Sequence, residues 1–234
     1  MKERPILFSA SMVRALLDGS KTQTRRACKP AQFYSLSAVV EVPDPMERGQ
    51  VYNGSHFGDE EGEVQFACPY GGRGDQLWVR ETFVMGWPLN GHGIVDKYDD
   101  EGHEKPKQTF YRASNPDLTW CDGSDDTPIP VPWKPSIHMP RAASRITLEV
   151  TSVRVERLQD ISEADAMAEG IAYGPTCDEG GRSGGYHWDR NREDEDVWPA
   201  AVQAFRQLWI GINGPHSWAA NPWVWVVEFK RFQK

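Results

Sequence analysis

Apolar residues recur at strand and helix spacing near the start of the chain. Residues 6–8 are apolar and predict a short buried strand. Ser9 or Ser11 then caps a helix that runs to about Asp18. Gly19 stands where the end of a helix favours a left-handed residue. The segment after Gly19 is therefore expected to leave the helix as extended chain.

The middle of the chain carries fewer periodic signals, because prolines and glycines interrupt residues 28 to about 73. A strand is predicted at 76–83, where side chains of different character alternate. One face of this strand carries Leu77, Val79 and Glu81, and the other carries Trp78, Arg80 and Thr82.

From Arg145 onward the pattern is regular again. Residues 145–158 alternate and predict a long, half-buried strand. Ser162 is followed three residues later by Asp165, which is the spacing of a capping box at a helix start. The apolar stripe predicted for that helix consists of Ala164, Met167, Ala168 and Ile171.

The chain closes with an amphipathic helix at 199–212 and an aromatic strand at 223–232. Strands dominate the whole pattern, and two or three helices are interspersed among them. This order predicts an α+β fold with a small curled sheet or barrel.

Composition narrows the class of protein. The chain has 234 residues, of which 39% are hydrophobic, and no apolar run approaches the length that spans a bilayer. Its first residues do not have the pattern of a signal peptide. The four cysteines are far apart and form no C-x-x-C pair, which indicates reduced thiols. We therefore expect a cytoplasmic protein with no membrane partner.

The net charge of -8 argues against broad, non-specific binding of long nucleic acid. The basic residues cluster locally, however, at Lys21, Arg25, Arg26 and Lys29. A basic pocket in an acidic protein suits a small phosphorylated or nucleoside-like ligand. The alternative is that these charges are ordinary solvated side chains.

The segment at 19–26 holds the highest concentration of potentially reactive side chains in the chain. It places the amine of Lys21 three residues before the hydroxyl of Thr24, a pair that can serve as base and nucleophile. Strict alternation in an extended chain puts these two side chains on opposite faces. A turn or bulge is then needed to bring them together.

The spacing Gly19-x-Lys21-x-x-Thr24-x-Arg26 matches the G-x-K-x-x-T-x-R signature of the ASCH domain, a family with a PUA-like β-barrel. The order of elements also resembles that family over the first 26 or so residues, near 74–83, and over 145–234. The resemblance implies one ASCH domain over 1–234, with large insertions at about 28–140 and 174–196.

Within that superfamily the chain looks most like the small amidohydrolases that deacetylate N(4)-acetylcytidine, although it is about twice their length. It also resembles the ASCH proteins of phages and prophages. Carried over by position, the resemblance implies that Lys21, Thr24 and Glu169 are catalytic, with Glu169 on the helix after the long strand. Thr24 is then the nucleophile and Lys21 its base. Glu169 positions Lys21 or the attacking water, or protonates the departing amine. Glu163 and Asp165 are rival acids.

The candidate substrate-binding residues are Arg25, Arg26, Trp78, Arg80 and Glu81. Arg26 is expected to orient a phosphate or carbonyl, or else to pair with an acid such as Glu81. Trp78 can stack on a nucleobase or belong to the core. The six histidines are dispersed without metal-ligand spacing, so no metal and no cofactor are expected.

These residues leave three functions open. The first is hydrolysis of an N-acylated nucleoside, with a small nucleoside or nucleotide as the substrate. The second is an RNA-binding module, which a relation to PUA domains allows. The third is a metal-independent ribonuclease. The sequence does not indicate the oligomeric state.

Overall fold

A computed structural model describes residues 1–42, 56–89, 97–120, 129–175, 184–189 and 197–232. Parts of both expected insertions, at 43–55, 90–96, 121–128, 176–183 and 190–196, lie outside the described residues. The described residues form an α+β fold, as the sequence predicts.

The described helices are α1 (Ala10–Leu17), α2 (Lys29–Phe33), α3 (Glu163–Ala168) and α4 (Ala201–Asn213). The strands are β1 (Glu3–Leu7), β2 (Gln23–Ala27), β3 (Val40–Glu41), β4 (Phe57–Gly58), β5 (Gln65–Phe66), β6 (Gln76–Arg80), β7 (Phe83–Gly86), β8 (Gln108–Tyr111), β9 (Thr119–Trp120), β10 (Ile129–Pro130), β11 (Thr147–Arg157), β12 (Ala172–Pro175), β13 (Gly184–His187) and β14 (Trp223–Arg231).

The main sheet has five strands in the order β1-β6-β11-β14-β2. The long strands β11 and β14 pair antiparallel, with a register shift between Val150 and Ser152. The strand β2 carries Thr24 and Arg26, the last two residues of the signature. It pairs antiparallel with β14 and places Thr24 opposite Val227. Among the described strands no sheet closes into a barrel, so the PUA-like barrel stays a prediction.

The chain divides into two compact units, and the single domain expected from the sequence stays a prediction. The first unit consists of Met1–Arg4, Ala15–Leu77 and Thr147–Lys234. Its core includes Trp225, whose ring meets Phe57 and Phe66 edge-on at centroid distances of 5.0 and 5.7 Å. The short strands β4 and β5 of the first expected insertion therefore contribute to the core of this unit.

The second unit consists of Pro5–Arg14 and Trp78–Ile146. Phe83, Met139 and Ala143 form a small buried cluster there, against which Tyr111 packs. Leu77, Val79 and Glu81 are buried and Trp78 and Arg80 are half-buried, which agrees with the predicted alternation. The predicted strand at 76–83 is in fact two, β6 and β7, with a break before Phe83.

Local signals explain the beginnings and ends of the first helices. Ser9 caps α1 through a bond from the Met12 N–H to its hydroxyl oxygen at 3.4 Å, and Gly19 has the predicted left-handed φ of 83°. The helix α2 is not among the elements that the sequence pattern predicts, because a proline is also a signal for an interruption. Proline is favoured in the first turn of a helix, and Pro30 occupies that position here.

The capping box predicted at Ser162 is present at the start of α3. The predicted stripe is wrong at Ala164 and Met167, which are exposed, while Ala166 is buried instead. Ala168 is half-buried, and Ile171 is buried but lies after the end of the helix. Glu163 explains part of this orientation, since its carboxylate accepts the Ala201 N–H at 2.7 Å at the start of α4. One acid of α3 thereby caps the next helix.

Two cysteines, Cys28 and Cys68, are described, and both are buried and free. Burial raises the pKa of the Cys28 thiol to about 11 and that of Cys68 to about 12. Both thiols are therefore protonated at neutral pH. None of the helices in the described ranges combines the length and apolar character that a membrane crossing would need.

Candidate functional site

The side chain of Lys21 is buried and pairs with Glu169. Lys21 Nζ donates to Glu169 Oε2 at 2.5 Å and to the Glu169 carbonyl oxygen at 2.7 Å. The two residues also form an isolated antiparallel β-bridge. Two residues that are 148 positions apart in the sequence are therefore joined through both backbone and side chain.

The end of α3 explains how Glu169 reaches Lys21. Glu169 is the C-cap residue of α3, and Gly170 after it has a φ of 97°. This left-handed residue reverses the chain at the helix end. The second carboxylate oxygen of Glu169 accepts the backbone N–H of Arg25. Glu169 thus connects Lys21, two residues before β2, with Arg25 inside the strand.

Burial lowers the pKa of Lys21 below its usual value, because water no longer solvates the ammonium. The nearby charge and hydrogen bond of Glu169 raise the pKa, whereas Arg26 and Arg25 lower it further. The net direction is downward, and it favours the neutral amine that a general base requires.

Thr24 lies within β2 and is 1% exposed. Gln23 and Arg25 on either side of it are also buried, so the segment does not alternate between core and solvent. Thr22 is exposed, and its N–H donates to the Ala168 carbonyl oxygen at 2.8 Å. The strand β2 therefore has buried side chains on both of its faces.

Arg25 belongs to a network of buried and half-buried charges. Its guanidinium donates to Gln23 Oε1 and to Glu156 Oε2, the latter at 3.0 Å, and lies 3.4 Å from Asp165 Oδ2. Arg154 binds Asp165 Oδ1 at 3.1 Å as well as the carboxylates of Glu156 and Glu228. The Arg25 charge is balanced by acids of its own fold, and its role in substrate binding stays a prediction.

Asp165 connects the capping box to this network. Its partial burial would raise the pKa, but hydrogen bonds from Gln23 and Ser162 and the charge of Arg25 outweigh that effect. The pKa of Asp165 therefore lies below its usual value. The rival acid Glu163 is bound to the backbone of α4 instead.

Asp165→Asn is expected to reduce the loss of unfolding free energy that the wild type shows as the pH falls below about 4. A carboxyl with a lowered folded pKa stabilises the protein above its unfolded pKa of about 4, and this contribution is lost as the pH falls further. The difference in unfolding free energy between wild type and variant should be largest near pH 6 and shrink below about pH 4. Urea unfolding across this range measures it.

The exposed Asp160, in the turn before α3, provides the matched control, since Asp160→Asn removes the same charge outside the network. A stability difference for Asp165→Asn that stays constant from pH 6 to pH 2 would contradict the assignment.

Gly170 is expected to tolerate no side chain. A Cβ at this position would lie 2.9 Å from Ala15 Cβ and 3.3 Å from Lys21 Cβ, and its φ of 97° disfavours other residues. Gly170→Ala should therefore destabilise the protein by about 1–3 kcal/mol in urea unfolding. Gly211→Ala is the control, because Gly211 lies in α4 with nothing within 4 Å of a Cβ. Equal stability of the two variants would rule out the constraint.

The other predicted binding residues lie in different surroundings. Arg26 is half-buried on β2, opposite Trp225 of β14. Trp78, Arg80 and Glu81 belong to the second unit.

In the second unit, Glu81 is 2% exposed and forms a bidentate ion pair with Arg145. Arg145 Nε donates to Glu81 Oε1 at 2.9 Å, and Arg145 Nη2 donates to Oε2 at 3.0 Å. The guanidinium of Arg80 lies 5.4 Å from the centre of the Trp78 ring, and its Nε donates to the Met139 carbonyl oxygen at 3.2 Å. These contacts give Glu81 and Arg80 structural partners, and their binding roles stay predictions.

Sequence reasoning missed the roles of Gln23, Glu156 and Arg154. No spacing rule links them, because the sheet brings them together from β2 and β11. The capping box could have indicated that Asp165 is partly buried, since it fixes which side of α3 that acid occupies.

The described residues contain no group of three or more histidine, cysteine or acidic side chains that could hold a metal. Comparison of the chain with family models, with curated proteins and with solved structures gave no significant match. The likeness to the ASCH family therefore rests on the signature residues and on the order of the elements.

Proposed function

We propose that the protein is an ASCH-type amidohydrolase that removes the acyl group from N(4)-acetylcytidine or a related N-acylated nucleoside. The observation that carries the proposal is the buried Lys21–Glu169 pair, in which Nζ lies 2.5 Å from Oε2, beside the strand that carries Thr24. The finer features of the family, a PUA-like barrel and a cytoplasmic location, are parts of the same proposal.

In the first half of the reaction the Thr24 hydroxyl attacks the acyl carbonyl carbon. A threonine hydroxyl is a weak nucleophile unless a base takes its proton. The neutral form of Lys21 is that base. The lowered pKa makes this form easier to reach from the ammonium that is paired with Glu169, which supports the role. The carbon–nitrogen bond then breaks, the proton passes from Lys21 to the departing amine, and the acyl group stays on Thr24.

In the second half a water molecule attacks the acyl-threonine, Lys21 accepts a proton from it, and the carboxylic acid leaves as Thr24 recovers its hydroxyl proton. Glu169 acts in both halves by positioning Lys21, because its carboxylate and its carbonyl oxygen both accept from Nζ. The Arg25 N–H holds the other carboxylate oxygen, which fixes the orientation of this acid.

The test is to incubate the purified protein with N(4)-acetylcytidine and to separate the products by chromatography. Cytidine and acetate appearing in equal amounts are expected. In parallel, a labelled RNA is tested for retention by the protein and for cleavage without added metal. A folded protein that releases no cytidine would overturn the hydrolase proposal.

An RNA-binding module is the second candidate, favoured by the burial of the Lys21–Glu169 pair. The side chains of these residues are 0% and 2% exposed, so the pair can hold the strand in place without taking part in a reaction. A binding module of this kind tolerates loss of the Thr24 hydroxyl and loses RNA affinity when Arg26 is replaced. The response to loss of the Thr24 hydroxyl is the opposite of that expected for the hydrolase.

A further inference from the structure

The first unit contains a cavity of about 550 Å³ that the proposed reaction does not use. This cavity is open to solvent. It is lined by α2 and the turn after it, by the end of β11, and by α4 with the segment that leads into β14. This volume is in the range of pockets that hold small organic molecules, about 300–1,000 Å³. Its polar lining includes Arg157, Trp209, Gln32, Asn213 and Ser217.

A flat, positively charged surface forms one wall of this cavity. The guanidinium of Arg157 lies over the Trp223 ring, 4.1 Å from its centre. The indole N–H of Trp223 donates to the Leu36 carbonyl oxygen at 2.9 Å, which holds the ring in place. The one hydrogen bond of the Arg157 guanidinium among the described residues goes to the Asn221 carbonyl oxygen at 3.3 Å. The charge therefore has no carboxylate partner in the described part of the chain.

The remaining polar side chains that line the cavity are uncharged amides and hydroxyls, together with Trp209. Trp209 is 5% exposed, and its indole nitrogen is buried without a hydrogen-bond partner in the described structure. This nitrogen has no accessible surface, so Trp209 contributes to the wall of the cavity and not a donor to its ligand. Gln32 and Asn213 add amides, and no acidic side chain is among the described residues that line the cavity. This lining suits an anion with further acceptor atoms.

Two residues beside the cavity have an unusual backbone conformation. Ser35, which lines it, has a φ of 53°, and Asn221, which binds Arg157, has a φ of 41°. Positive φ is uncommon outside glycine and is often kept where a site requires a particular backbone shape. The turn after α2 and the turn before β14 are both shaped in this way.

The geometry points to a binding site for a nucleoside 5′-monophosphate in this cavity. The base stacks on the planar Arg157–Trp223 surface, and the phosphate accepts hydrogen bonds from the free edge of the guanidinium. The Gln32 amide can pair with the edge of the base, and so can Asn213 Oδ1, since Asn213 Nδ2 already donates to the Trp209 carbonyl oxygen at 3.1 Å. An inorganic anion alone would fill only a small part of the volume.

The test is calorimetric titration of the whole protein with adenosine 5′-monophosphate, with adenosine, and with inorganic phosphate. The nucleotide is expected to bind at least tenfold more tightly than either of the others. Arg157→Gln should weaken nucleotide binding at least tenfold. Arg206→Gln, which removes an exposed arginine of α4 that does not line the cavity, should leave it unchanged.

Ala220→Phe provides a second variant that keeps Arg157 and fills the cavity from an exposed position, and it should also abolish binding. Thr24→Val should bind the nucleotide as the wild type does, because Thr24 does not line the cavity. The inference is overturned if the wild type does not bind the nucleotide, if phosphate binds as tightly, or if both cavity variants bind like the wild type.

Discussion

Thr24→Val is expected to lower turnover of N(4)-acetylcytidine by at least about 10³-fold, because it removes the proposed nucleophile and little else. Thr24 is 1% exposed in β2, where valine has nearly the same shape and is favoured in strands. The variant should therefore fold. Initial rates by chromatography, together with thermal unfolding, measure the two properties separately.

Two further variants sharpen this test. Thr24→Ser keeps a hydroxyl and should retain turnover within about tenfold of the wild type. Thr22→Val alters the exposed threonine two residues earlier and should have no effect on turnover. Turnover by Thr24→Val close to the wild-type rate would remove Thr24 from the mechanism and leave an attack by water as the route to cytidine.

Lys21→Met is expected to destabilise the fold by about 3–5 kcal/mol, because it leaves the buried carboxylate of Glu169 without its cation. The carboxylate then keeps the Arg25 N–H as its hydrogen-bond donor in the described structure. One hydrogen bond does not compensate for the lost solvation of a charge in a site where the side chain is 2% exposed. Urea unfolding at pH 7 measures the loss.

The double variant Lys21→Met with Glu169→Gln should recover most of that stability. The amide oxygen of glutamine can still accept the Arg25 N–H, and no unpaired charge remains. This variant should be folded but inactive, which separates the structural role of the pair from its chemical role. A double variant as unstable as Lys21→Met would mean that the lost charge is not the cause.

The sequence predicts the elements around the signature well, because each has a strong local signal. Gly19 ends α1 as expected, and the capping box at Ser162 begins α3. The stripe at 199–212 also agrees with α4, where Phe205, Leu208 and Trp209 are buried. Local rules work here because the residues that decide the structure are close together in the chain.

The details of the site could not be predicted in the same way. Alternation assumes one buried face, yet Gln23, Thr24 and Arg25 are all buried, because β2 has packed groups on both faces. A helix continued through residue 169 points Glu169 away from the predicted stripe, whereas α3 ends at Ala168 and Gly170 turns the chain. Both outcomes depend on contacts between segments that are far apart in the sequence.

The pairing of β2 with β14 also sets the order in which the protein can mature as it is synthesised. Translation produces Thr24 203 residues before Val227, which lies opposite it in the sheet. Lys21 is likewise synthesised before its partner Glu169, which is 148 residues further along the chain. A nascent chain emerging from the ribosome therefore carries Lys21 and Thr24 before their partners exist, and their surroundings are completed only when β14 has been synthesised.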